Sequence, residues 1–177
     1  MNKIFSTSER IKILSSIILN KNPLSVNSVA FGLKLSKGLV SKYFDVLKNS
    51  GIVKRSNGKY LILDSALTKA IRILLVVSDI DISIFTKYNF VKSVGLYGSC
   101  SKGENTEESD IDIWIVVDDL GDEKIASLTS EINKKINRAK PLFLTKKKLE
   151  KIKKDDELFY HSLSFGSIVL FGEKDAI

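Results

Sequence analysis

The stretch "GLYGSCSKGENTEESDIDIWIVV", Gly95–Val117, places two apolar runs on either side of a polar turn. The first run stops at Gly98-Ser99. The second opens on Asp110-Ile111-Asp112 and continues as Trp, Ile and Val. Both are rich in strand formers, so the stretch reads as strand, turn, strand. Side chains at i and i+2 of a strand share a face, which projects Asp110 and Asp112 together, about 6–7 Å apart along the chain. Two hard carboxylates at that spacing suit Mg²⁺, which takes one or two carboxylates and completes its shell with water and phosphate oxygens. Gly98 permits positive φ and close approach of the backbone to a ligand. Ser99 adds a hydroxyl next to exposed N–H groups, an arrangement that cradles anions.

Downstream, the apolar patterning gives an amphipathic helix in "GDEKIASLTSEINKKINRA", with Ile125, Leu128, Ile132 and Ile136 on one face. A short third strand follows in "KPLFLT", then a helical stretch "KKKLEKIKKDDELFYHSLSFG" and a closing strand "SIVLFGE". Strands interleaved with helices make this part of the chain α+β.

Taken together, Gly98-Ser99, Ser101-Lys102-Gly103 and Ser109-Asp110-Ile111-Asp112 resemble the signature of the nucleotidyltransferase superfamily of the DNA polymerase β type. The likeness is to its small, minimal members from archaea and bacteria, and it spans roughly residues 90–173. It implies a mixed sheet with helices. It also implies transfer of an NMP from a nucleoside triphosphate, ATP foremost, to an acceptor hydroxyl, with Mg²⁺ as cofactor. Carried over by position, Asp110 and Asp112 are the catalytic and metal-binding pair, and Gly98, Ser99, Ser101, Lys102, Gly103 and Ser109 bind the nucleotide. Members of this kind often act as antitoxins that nucleotidylate a partner toxin, so a protein acceptor is expected. The family also uses a third carboxylate on a later strand. The matching strand, residues 140–145, has none. Asp118 shares the face of the pair but lies about 20 Å along it, and Glu131 is on the preceding helix. The alternative is therefore a regulator that binds nucleotide and has lost transfer.

The first third has a different character. Residues 1–63 hold 11 Lys/Arg against 2 Asp/Glu, a balance of +9, whereas residues 64–177 balance at −2. The pattern predicts three short helices: one with Ile11, Leu14, Ile17 and Ile18 inward and Thr7 or Ser8 as N-cap; one with Asn27 as cap; and one opened by Ser36 with Val40, Tyr43, Phe44 and Leu47 inward. Asn57-Gly58 then joins two short β runs, the strongest tight-hairpin signal. Such a unit looks like a winged helix-turn-helix. Lys37, Ser41, Lys42 and Lys48 would face the bases of duplex DNA, and Lys54, Arg55 and Lys59 its phosphates. Asp45 on the same face opposes tight binding. Solvated lysines, or a protein-docking unit, are the bland reading of the same residues.

The expected organisation is a winged helix at 1–64, a linking helix or helices at 65–89, and a nucleotidyltransferase-like domain at 90–177. Ala66, Ala70, Ile73, Leu74 and Val77 form a stripe that either packs the modules together or makes a homodimer face. Asp79 and Asp81 read as cap and surface charge. One cysteine suits a reducing cytoplasm, and no apolar run is long enough to cross a bilayer, so no membrane partner is expected. Cys100 reads as filler in the turn and His161 as a helix-surface or core-edge residue. The lysine run at 145–154 reads as a solvated face.

Overall fold

The computed structural model describes residues 3–119, 121–173 and 177. The chain divides into two compact units, Met1–Leu75 and Val76–Ile177.

The first unit opens with α1 (Ser8–Ile17), capped by Thr7, whose hydroxyl accepts from Arg10 N. Its buried face is Ile13, Leu14 and Ile17; Ile11, expected inward, is 39% exposed. In α2 (Val26–Leu33) the cap is Ser25 rather than Asn27. Ser25 and Ser28 form a reciprocal capping box that satisfies two orphan N–H groups at once. Helix α3 (Lys37–Asn49) is capped by Ser36 and buries Val40, Tyr43, Phe44 and Leu47 completely. Each such side chain contributes about 1.5–3 kcal/mol of transfer free energy. The hairpin of β1 (Val53–Ser56) and β2 (Lys59–Ile62) turns on Asn57 and Gly58, both at positive φ, as the mirror-image two-residue turn requires.

Helix α4 (Ala66–Asp79) fills the segment expected to link the modules, followed by the single turn α5 (Ser83–Thr86). The expected stripe on α4 is not its buried face. Thr68 and Ile71 are buried, whereas Ala66 and Ala70 are exposed and Leu74 is 53% exposed. The apolar arc of this helix is broader than one stripe, with Lys69, Arg72 and Asp79 marking the polar side. Periodicity alone therefore could not choose which part of the arc lies innermost. Asp81 is not the N-cap of α5, which is Ile82, but its Oδ1 accepts from Ser83 N at 3.0 Å in the turn before the helix.

The second unit is a four-stranded mixed sheet in the order β5-β4-β3-β6. Strand β3 (Val91–Tyr97) runs antiparallel to both β4 (Ile111–Val117) and β6 (Ile168–Phe171). Strand β5 (Ala139–Leu144) lies parallel to β4. Helix α7 (Asp122–Lys135) makes the crossover from β4 to β5. The β4 run is nearly all apolar because both faces are covered. Ile113, Ile115 and Val117 pack with Leu128 and Ile132 of α7 and with Ile84 and Phe85. Trp114 and Val116 pack on the other face with Leu144 and Leu163. That second face is covered by α8 (Lys146–Asp155) and α9 (Glu157–Gly166), two helices where the sequence suggested one. The break falls at Asp156, whose carboxylate accepts from Phe159 N at 3.0 Å and starts α9.

Candidate functional site

The polar turn between β3 and β4 contains one short helix, α6 (Gly98–Lys102). Gly98 enters it at φ 71, a conformation L side chains rarely adopt. A Cβ at Gly98 would stand 2.5 Å from Asp112 Oδ2. The bend and the second carboxylate are thus in direct contact, and only glycine leaves room for both. Gly103 closes α6 in the left-handed region at φ 66, as helix C-termini favour.

The remaining residues of the turn divide into those that face outward and those that hold it together. Lys102 is exposed and Ser99 half-buried. Ser101 is buried, and its hydroxyl is engaged with the carbonyls of Gly98 (3.0 Å) and Gly166 (2.7 Å). Its hydroxyl thus ties the turn to the end of α9. Ser109 likewise accepts from Thr106 N at 2.9 Å and closes the loop before β4. Cys100 is buried and donates from Sγ to Asp110 O at 3.3 Å. Burial first, and then the nearby Asp112, push its thiol up to about 11, so it is no nucleophile at neutral pH.

Asp110 sits immediately before β4 and Asp112 one residue inside it. The two carboxylates are unequal. Asp110 Oδ2 meets Lys140 Nζ at 2.5 Å, and its Oδ1 meets Arg138 Nε at 3.5 Å. These partners, Lys140 foremost, hold Asp110 below the usual carboxylate range. Asp112 makes no ion pair among the described residues. Burial raises its pKa, with Asp110 adding to the rise and Lys140 opposing it.

Sequence reasoning misses Lys140, because an acid is what it seeks in "KPLFLT". Parallel pairing sets Lys140 directly beside Asp112, so both project from the same face at the mouth of the sheet. Arg138 just upstream adopts φ 60 and donates to the carbonyls of Glu107 and Glu108 as well as to Asp110. The two other acids weighed as substitutes are engaged elsewhere: Asp118 with Lys92 at 2.9 Å, and Glu131 with Lys87 and Tyr88. Among the described residues no cluster of three or more His, Cys, Asp or Glu could hold a metal ion. Two carboxylates at one strand mouth, one of them against the glycine bend, still fit the minimum that Mg²⁺ needs when phosphate and water complete its shell.

In the first unit, Lys37, Lys42, Asp45 and Lys48 are exposed on α3, with Ser41 half-buried. Lys54, Arg55 and Lys59 are exposed on the hairpin, Arg55 over the Tyr60 ring at 5.9 Å. His161 lies on the surface of α9, stacked on Phe165 and 3.4 Å from Glu157. No helix among the described residues is long and apolar enough to cross a membrane.

Comparison with known proteins matches two family models. "Polymerase beta, Nucleotidyltransferase" matches residues 81–176, and "Bacterial regulatory protein, arsR family", a helix-turn-helix, matches residues 7–55. Among solved structures, a Sulfolobus solfataricus protein assigned as a nucleotidyltransferase is similar at 17% identity and TM-score 0.41, covering 64% of this chain and 92% of its own. A toxin–antitoxin structure with AMP-PNP follows at 17% identity and TM-score 0.36, covering 62% of this chain and 75% of that one. A tri-AMPylated Shewanella oneidensis HEPN toxin in complex with MNT antitoxin gives 14% identity and TM-score 0.35, with 60% and 74% covered. No curated protein matches the chain.

Proposed function

The chain belongs to the polymerase beta nucleotidyltransferase family and carries an ArsR-type helix-turn-helix, and from that premise we propose that its second unit binds a magnesium–nucleoside triphosphate, ATP foremost, and transfers the NMP to a hydroxyl of another macromolecule. One observation carries the reading: Asp112 Oδ2 lies 2.5 Å from where a Cβ at Gly98 would stand, so the second aspartate and the bend meet at one mouth, with Asp110 two residues away on the same chain segment. In this reading Ser99 and Lys102 bind the phosphates, and Asp110 with Asp112 holds the metal. Bound there, Mg²⁺ would neutralise phosphate charge. In the transfer, the acceptor oxygen bonds to the α-phosphorus, the bond to the β-phosphate oxygen breaks, and pyrophosphate leaves. The hydroxyl proton passes to water, because β5 brings Lys140 rather than a carboxylate to the site. The acceptor we propose is a partner protein, a toxin being the one the family resemblance implies.

Lys140 also favours a second reading. Without a positioned base, transfer loses on the order of 10²–10⁴-fold. The unit then retains nucleotide without passing it on, and the chain acts as a nucleotide-responsive DNA-binding regulator.

One experiment separates them. The full chain and its Asp110→Ala/Asp112→Ala variant are incubated with Mg²⁺, α-labelled ATP and candidate protein or RNA acceptors. Label on an acceptor with wild type only supports transfer. Nucleotide binding without label supports the regulator, and absence of binding overturns both.

A further inference from the structure

Asp110 and Asp112 are both acids at the mouth of one strand, yet they have different neighbours. Asp110 meets two cations, Lys140 at 2.5 Å and Arg138 at 3.5 Å. Asp112 meets the glycine bend. The asymmetry follows from the register. Lys140 pairs with Asp112 across the parallel strands, and its long side chain reaches past that residue to the carboxylate at the strand mouth. Both partners are accessible to solvent, Lys140 at 66% and Asp110 at 33%, so the ammonium can leave without exposing an apolar surface.

We propose that Lys140 is the resident counter-ion of the acidic pair: it occupies Asp110 when no nucleotide is bound, competes there with a divalent cation, and moves onto the phosphates when nucleotide arrives. The first part follows from charge. An ammonium and a divalent ion on the same carboxylate repel each other at close range, so each weakens the other's hold. The second part follows from what an incoming nucleotide carries. A triphosphate offers the displaced ammonium several anionic oxygens at the same mouth, and Lys140 is a flexible point charge rather than a fixed fork. The pair therefore has low affinity for a bare metal ion and gains it together with nucleotide. Arg138 differs in kind. Its guanidinium is also bound to backbone carbonyls, which keeps it in place. The proposal rests on the nucleotide-binding reading for its second part only.

The test measures Mn²⁺ binding to the full chain by loss of the free-ion electron paramagnetic resonance signal, first alone and then with a non-hydrolysable ATP analogue. Lys140→Met should bind Mn²⁺ alone on the order of tenfold more tightly than wild type, the scale of one unit charge acting at short range in a largely aqueous setting. Lys140→Arg should stay near wild type. Asp110→Asn should remove the difference between lysine and methionine at position 140. With Mn²⁺ present, Lys140→Met should bind the analogue more weakly than wild type. Equal Mn²⁺ affinity in wild type and Lys140→Met overturns the proposal. Analogue affinity unchanged in Lys140→Met overturns its second part. Failure of every variant, wild type included, to bind the analogue overturns the nucleotide reading and leaves the Mn²⁺ comparison standing on its own.

Discussion

Asp110 and Asp112 are two residues apart and titrate in opposite directions, which makes opposite demands on stability. Asp110 is held low by Lys140 and then Arg138, so its stabilising contribution is present above the ordinary carboxylate range and is lost as pH falls beneath it. Asp112 is raised by burial, so the folded chain favours its protonated form and loses stability as pH climbs through the raised value. Asp112→Asn should therefore raise Tm at pH 7, with the gain fading as pH falls into the ordinary carboxylate range. Thermal melts at pH 7 and in that range check this; a lower Tm at pH 7 would contradict it. Gly98 sets a second residue-scale constraint. Gly98→Ala adds a Cβ 2.5 Å from Asp112 Oδ2 at φ 71. Left-handed strain costs about 1–2 kcal/mol of folding stability, and the added Cβ must also push the Asp112 carboxylate aside. The variant should therefore melt at lower temperature and bind Mg-nucleotide more weakly in calorimetric titration, while far-UV circular dichroism stays unchanged. Cys100, buried and with its thiol pushed up to about 11, should resist iodoacetamide at pH 8 until the chain is unfolded.

At the scale of elements, the central pair β3 and β4 depends on a complementarity invisible to periodicity. Gly95 faces Trp114 across the antiparallel ladder, and a Cβ at Gly95 would overlap the indole ring at Cζ2. Trp114 is completely buried and has nowhere to retreat. Gly95→Ala should destabilise the second unit by about 3 kcal/mol, or roughly 12–24 °C in Tm for a unit of this size, measured by calorimetry. What could be read from the sequence divides along the same line. The hairpin at Asn57-Gly58, the Ser36 cap and the inward face of α3 were legible because each is decided within one or two turns of chain. So was the closeness of Gly98 to Asp112, since a short turn joins two neighbouring strands. Lys140 was not legible, because its place beside Asp112 depends on a parallel register set 28 residues away through α7. The inner face of α4 was not legible either, since a helix with a broad apolar arc is oriented only by what packs against it.

For the whole molecule the decisive quantity is the division of charge. The first 63 residues carry +9 and the remainder −2. Six of the eleven cations in those 63 residues are exposed on two elements with different geometric roles, α3 and the hairpin of β1 and β2. If the helix-turn-helix engages duplex DNA as its kind does, α3 meets base edges and the hairpin meets phosphates. The two sets then fail differently. Replacing Lys54, Arg55 and Lys59 by alanine should weaken binding to every duplex alike. It should also flatten the plot of log affinity against log salt by up to about 3 units of slope, about 0.9 for each phosphate no longer neutralised. Replacing Lys37 and Lys42 should instead reduce discrimination between a selected site and random duplex. Asp45, exposed on the same face of α3, limits affinity for random duplex, so Asp45→Asn should strengthen non-specific binding. Gel shifts of the full chain over a salt series measure all three. If even the wild type gives no shift at low salt, the charge division serves an acidic protein surface instead, and the first unit is a docking module.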